Sequence, residues 1–185
     1  MSEWHQSLDG MLGEAWRLLA RGVANSRAAS RSPSLATTGL DGWPASRIVT
    51  LRRADRGEGT LEVLTDFYAA KTKELQADPR AAVLIWEPRM RLQIRLHCTA
   101  AIFTGPVLAN RWKRLPKAAQ MNYGTTPAPG APIGSALAYE KSPNAGSFAV
   151  LSLRVEAMDL LYLGDEHCRA RYGRAGAWQG QWLCP

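Results

Sequence analysis

Three short segments between Pro44 and Ala101 carry polar side chains for which a plain β-sheet has no use. Arg47-Ile48-Val49-Thr50-Leu51-Arg52-Arg53 reads as a strand whose cations bracket an apolar run. Leu64-Thr65-Asp66-Phe67-Tyr68-Ala69-Ala70-Lys71 reads as a strand end that turns into a helix, with lysine in the first turn. Arg91-Leu92-Gln93-Ile94-Arg95-Leu96 reads as another strand, with one uncharged amide between cations. Arginine suits bidentate contact with phosphate oxygens. A lysine in the first turn opposes the helix macrodipole, an arrangement that makes sense when an anion sits there on the backbone N–H groups. Glutamine both donates and accepts, as reading the edge of a heterocycle requires. Together the three segments predict a site for a phosphorylated, planar cofactor.

Each residue also has a plainer reading. Arg47 and Arg53 are charges of the kind that protect an edge strand from aggregation. Lys71 is within reach of Glu74 or Asp66 along the helix surface. Thr65 either donates its hydroxyl to phosphate or caps the helix, and both roles stay open. Strict alternation puts Arg47, Val49 and Leu51 on one face and Ile48, Thr50 and Arg52 on the other, unless a bulge intervenes.

The elements that must position these residues follow from periodicity and turn chemistry. Leu8, Met11, Leu12, Ala15, Trp16 and Leu19 recur at helical spacing and predict a helix from about Ser7 to Gly22, with Trp16 as core packing. Strand structure begins at Ser34, and Gly39 to Pro44 has the composition of a hairpin turn. Arg47 to Ala54 and Thr60 to Thr65 continue as a meander across the turn at Arg56 to Gly59. A short helix from Ala69 to Gln76 stops before Asp78-Pro79, because proline disfavours helix in the preceding residue. Ala81 to Trp86 is almost wholly apolar, which predicts a strand buried on both faces. Arg91 to Phe103 is a long strand, Pro106 to Leu115 a helix, and Thr125 to Pro132 a loop. Phe148 to Leu163 supplies one or two strands and Ala177 to Leu183 a last one. Short strands joined by a few helices predict a mainly β (α+β) domain, a closed or split β-barrel. One domain is expected over 1–185, with 1–30 an N-terminal helical segment.

Composition narrows the function classes. No run approaches the roughly 18 apolar residues of a membrane span, and the amino terminus lacks a basic start followed by an apolar core. Cys98, Cys168 and Cys184 are scattered without metal-like spacing, as in a reduced cytoplasm, the expected compartment. The net charge of +7, from 23 basic and 16 acidic residues, reads as solvated arginine and partly as neutralisation of a bound phosphate. Arg111-Trp112-Lys113-Arg114 with Lys117 could meet a nucleic acid, but such a helix is more often a solvated face. No nucleic-acid or membrane partner is expected. His5, His97 and His167 are too dispersed for a metal cluster.

In order and separation, Arg47-Ile-Val-Thr-Leu-Arg52, Leu64-Thr65-Asp66 with Lys71, and Gln93-Ile-Arg95-Leu resemble the pyridoxamine 5'-phosphate oxidase-like family of flavin mononucleotide (FMN) split barrels. Trp178 and Trp182-Leu183-Cys184-Pro185 are similar to the family's tryptophan-to-Leu-x-Pro ending. The resemblance implies an FMN-binding homodimer, with two cofactor sites at the subunit interface and a small-molecule substrate. It implies that Arg47 and Lys71, assisted by Thr65, hold the FMN phosphate. Ile48, Val49 and Thr50 would line the isoalloxazine, and Arg52 would stand near flavin and substrate. Gln93 would reach the flavin from the partner subunit, and Arg171 would fall at a flavin-contacting arginine. Tyr162 or Leu161 lies near the place of a family tryptophan.

The departures concern the substrate. The family's oxidases carry an Arg-x-His pair before the last arginine; here His167-Cys168-Arg169-Ala170-Arg171 reverses its order. Leu115 and Ala119 stand where a substrate-phosphate arginine and serine are expected. Ala70 replaces an arginine often found beside the phosphate lysine, and the Pro127–Gly130 loop replaces a segment that touches FMN. The expected function is an FMN-dependent oxidoreductase acting on an unidentified small molecule. A genuine pyridoxamine 5'-phosphate oxidase and a non-catalytic flavin-binding module are the alternatives.

Overall fold

The computed structural model describes residues 3–185. Helix α1 (Leu8–Ala24) forms where the apolar stripe lies, with Ser7 accepting from the Gly10 N–H as its N-cap. Met11, Leu12, Ala15, Trp16, Leu18 and Leu19 are buried, so one helix face plugs the sheet. Each buried leucine or methionine among them contributes about 1.5–3 kcal/mol. At the other end the Arg31 guanidinium donates to the Gly22 and Val23 carbonyls and to Leu51, tying the helix end to the first segment of interest.

The chain then runs through β1 (Ser34–Thr38), β2 (Pro44–Ile48), β3 (Leu51–Asp55) and β4 (Thr60–Asp66). After α2 (Ala70–Ala77) come β5 (Arg80–Glu87) and β6 (Leu92–Thr104). Short helices α3 (Ala109–Arg114) and α4 (Lys117–Gln120) precede a small two-stranded ribbon, β7 (Thr125–Thr126) with β8 (Glu140–Lys141). The long β9 (Phe148–Leu163), β10 (His167–Gly173) and β11 (Gly180–Leu183) complete the fold.

The sheet is antiparallel throughout and β9 is its axis. Its first half pairs with β4, its second half with β10, and β6 runs along its other edge. From β6 the order continues through β5 and β1 to β2. The chain passes directly from β2 to β3, but no ladder joins them, so the sheet is split and not closed. The expectation of a mainly β split barrel with flanking helices holds.

Three local expectations need correction. The strand expected over Arg47 to Ala54 is two strands, β2 ending at Ile48 and β3 starting at Leu51. The Val49 N–H still bonds the Pro33 carbonyl in register with β1, but Pro33 has no N–H to return the bond and the ladder stops there. Within β3, Leu51 pairs with Val63 and Arg53 with Glu62, leaving Arg52 as the extra residue of a bulge. Alternation nevertheless survives: Val49 and Leu51 are buried, whereas Ile48 and Arg52 are exposed. Secondly, β5 is not buried on both faces. Ala81, Val83 and Ile85 face the core, but Leu84 and Trp86 are 43% and 45% exposed. An apolar run does not by itself say which of its faces lies in the core. Thirdly, the loop expected from Thr125 is extended backbone at Thr125–Thr126. It is anchored by Gly124, whose φ of +109° and close approach to the Ser142 carbonyl exclude a Cβ.

Candidate functional site

Strand β4 ends at Thr65 and Asp66, and the chain turns at once into α2. Asp66 shapes this turn. One carboxylate oxygen accepts from the Tyr68 N–H at 2.8 Å, the other from the Gly124 N–H at 2.9 Å, and the residue is buried. Helix α2 follows Ala69, an N-cap with no capping side chain, and has no acidic residue in its first turn. Its open N-terminus instead presents Lys71, whose ammonium donates to the Thr65 hydroxyl at 2.9 Å. Lys71 therefore pairs with neither Asp66 nor Glu74. Burial, and after it the charge of Arg47, push the Lys71 ammonium below its usual range, while Asp66 and Glu74 pull the other way. An uncapped helix start holding a disfavoured cation is suited to an anion.

Arg47 comes to the same neighbourhood from β2, where it pairs across the ladder with Leu35. Its guanidinium donates to Glu74 at 2.6 Å and to the Thr37 hydroxyl at 2.5 Å. Thr37 in turn donates to the same Glu74 oxygen at 2.5 Å. Glu74 thus lies at the centre of a buried polar knot that joins β1, β2 and α2. Thr37 gave no signal in the sequence, and Glu74 registered only as a partner for Lys71. Glu74 and Ala70 also border a pocket of about 700 Å³ with Trp43, Pro44, Tyr68 and Pro129.

The remaining expected residues are distributed over two faces. Val49 is in the core, Thr50 half-buried at the break between β2 and β3, and Ile48 69% exposed at the strand end. The bulge turns Arg52 outward. Burial raises the buried Tyr123 hydroxyl, and the charges of Arg52 and Arg111 oppose that shift. Gln93 and Arg171 belong to the open face of the sheet. The register aligns Trp86, Gln93, Leu161 and Arg169 in one row, and Ile48, Ser34, Leu84, Arg95, Asp159 and Arg171 in the next. Here Asp159 is held by Arg95 at 2.8 Å and by Arg169 at 2.9 Å, around a pocket of about 220 Å³ that Arg171 and His97 also line. One chain therefore gathers Arg47, Thr65 and Lys71, and sets Gln93 and Arg171 apart from them on the open face.

In the basic segment around Trp112, Arg111 and Trp112 are used internally, whereas Lys113, Arg114 and Lys117 are exposed. Trp112 packs on Phe148 and Tyr123, with ring centroids 5.5 and 6.2 Å away, and Arg111 pairs with Glu62 at 2.6 Å. Among the described residues, no cluster of three His, Cys, Asp or Glu side chains could hold a metal ion, and no helix is long and apolar enough to cross a membrane.

A split antiparallel sheet with an anion-suited turn after β4 defines the class of fold, and comparison with known proteins gives the family. The family profile described as pyridoxamine 5'-phosphate oxidase matches residues 23–162, and the chain belongs to this family. Among curated proteins, a pyridoxine/pyridoxamine 5'-phosphate oxidase of Thermosynechococcus vestitus is 35% identical over 89 residues, 43% of this chain and 41% of that one. A protein of the same name from Salinibacter ruber is 33% identical over 96 residues, 51% of this chain and 43% of that one. The matches thus span about two-fifths of the length of these relatives. A crystal structure of a pyridoxamine 5'-phosphate oxidase-related, FMN-binding protein from Nostoc punctiforme superimposes with a TM-score of 0.77 at 26% identity, covering 100% of this chain and 99% of that one. PhzG from Burkholderia lata, solved with tetrahydrophenazine-1-carboxylic acid, has a TM-score of 0.73 at 20% identity over 94% and 92% of the two chains, a likeness of fold.

Proposed function

We propose that the chain is an FMN-dependent oxidoreductase that works as a homodimer on a small molecule. The observation that carries this reading is the uncapped start of α2, where Lys71 and Thr65 meet beside Arg47. These donors fit a phosphate monoester: an ammonium, a hydroxyl and a helix N-terminus converge, and Ala69 and Ala70 leave room for close approach. When bound, FMN would supply the two-electron redox chemistry, and the protein its orientation and electrostatics. Lys71 and Thr65 would fix the phosphate. Ile48 and Thr50 would flank the ring system, and Arg52 on its bulge would bring a positive charge towards an anionic substrate or reduced ring.

The dimer rests on the open sheet face. Ile48, Leu84 and Trp86 expose apolar surface beside Gln93 and Arg171, which one chain keeps away from Lys71. Packing two such faces would cover the apolar rows and bring the partner's polar residues to the flavin. The curated relatives' name favours one second reading, oxidation of pyridoxamine 5'-phosphate itself. Against it stands Arg169, which is committed to Asp159.

The test is the visible spectrum of the purified protein, with identification of the chromophore it releases. A yellow protein that releases FMN supports the proposal; a colourless protein that ignores added FMN refutes it. Formation of an aldehyde from pyridoxamine 5'-phosphate would establish the second reading. Stoichiometric flavin with no turnover under any reductant would reduce the function to flavin binding.

A further inference from the structure

We propose that Glu74 is the resident counter-ion of the phosphate cage: it stabilises the flavin-free protein and, by occupying Arg47, limits affinity for phosphorylated ligands. The inference rests on the phosphate reading above and adds a residue that sets its strength. Glu74 is 7% exposed and receives both the Arg47 guanidinium and the Thr37 hydroxyl on a single oxygen. The other nearby carboxylate, Asp66, is committed to the Tyr68 and Gly124 N–H groups. The cage therefore sets two cations, Arg47 and Lys71, against two carboxylates, of which only Glu74 is paired with a cation. The sum is zero, so a dianionic phosphate monoester arrives with its charge uncompensated, and Glu74 is the carboxylate that occupies Arg47.

Removing the Glu74 charge has two opposite consequences. Without a ligand, Arg47 would lose its one carboxylate partner while Lys71 still repels it, and breaking a buried ion pair from one side strongly destabilises a fold. With phosphate bound, the dianion takes over as counter-ion, and a repulsive carboxylate is gone. Stability of the unliganded protein should fall while affinity for phosphate rises, the familiar opposition between a stable fold and a strained site. A carboxylate that merely orients Arg47 for the ligand would move both quantities down.

The test compares wild type, Glu74→Gln and Glu74→Asp by thermal unfolding and by titration with FMN, riboflavin and inorganic phosphate. Glutamine keeps the size and the Thr37 hydrogen bond. In Glu74→Gln the unliganded melting temperature should drop, the FMN dissociation constant should tighten about tenfold, and riboflavin binding should stay unchanged. Inorganic phosphate should raise the melting temperature more in this variant than in wild type. Glu74→Asp, with its charge withdrawn by one methylene, should fold more readily and lie between the two. If wild type binds FMN and neither variant binds it more tightly, the counter-ion role is wrong and the phosphate site stands. If wild type binds neither FMN nor inorganic phosphate, the phosphate site falls, and this inference with it.

Discussion

Replacing Lys71 by alanine separates the phosphate grip from the rest of the fold. Arg47→Ala is the poorer probe, because it strands the buried Glu74 carboxylate, a loss of about 3–5 kcal/mol. Lys71 is different: its one hydrogen bond goes to a neutral hydroxyl, and burial already disfavours its charge. The fold is therefore expected to keep its melting temperature at neutral pH or gain slightly. A hydrogen bond to a charged group is worth about 1.5–3 kcal/mol, so FMN should bind roughly 10- to 150-fold more weakly to the variant. Riboflavin lacks the phosphate and should bind both proteins alike. The assay is quenching of flavin fluorescence during titration of wild type and variant with each ligand. Equal losses for FMN and riboflavin, or no loss for either, would refute the assignment of phosphate to Lys71.

Three other outcomes follow. Lys71 has its usual value near 10.5 in the unfolded chain and a lower one when folded, so its charge costs stability at neutral pH. That cost should fade as pH rises through the folded value towards 10.5; wild type should gain on Lys71→Ala in alkaline melting curves, and FMN affinity should decline over the same window. Aspartate at Leu84 together with aspartate at Trp86 should leave the helical and sheet content intact and yield a monomer with weakened flavin binding, measured by sedimentation and titration. The Tyr172 hydroxyl, raised to about 12 mainly by burial, donates to the Leu8 carbonyl at 2.7 Å. Tyr172→Phe should cost about 0.5–1.5 kcal/mol by removing one part-buried hydrogen bond to a carbonyl that keeps its intrahelical partner, read as a shifted denaturant midpoint with normal flavin binding.

Much of the architecture was legible because it follows from local chemistry. The α1 stripe, the turns at Gly39 and Arg56, the stop before Pro79 and the strand character of Leu92 to Thr104 are all signals within a few residues. The meeting of Thr65 with Lys71 was legible too, since six residues of turn bring them together. Three features were not. The break after Val49 depends on its partner across the ladder being Pro33, which has no N–H, and the Arg52 bulge on register with β4. The engagement of Arg47 by Glu74 and Thr37 joins three elements 10 and 27 residues from the arginine, a separation at which no local pattern speaks. The exposure of Leu84 and Trp86 was hidden for another reason. An apolar run has the same composition whether both of its faces lie in the core or, as at Leu84 and Trp86, one faces outward.

The central claim concerns where a phosphate sits. A crystal structure of the protein with FMN tests it most directly. The account predicts phosphate oxygens within hydrogen-bonding distance of Lys71 Nζ and Thr65 Oγ1, at the start of α2. A flavin whose phosphate rests elsewhere, on the open sheet face or along the basic helix at Arg111 to Lys117, would contradict it.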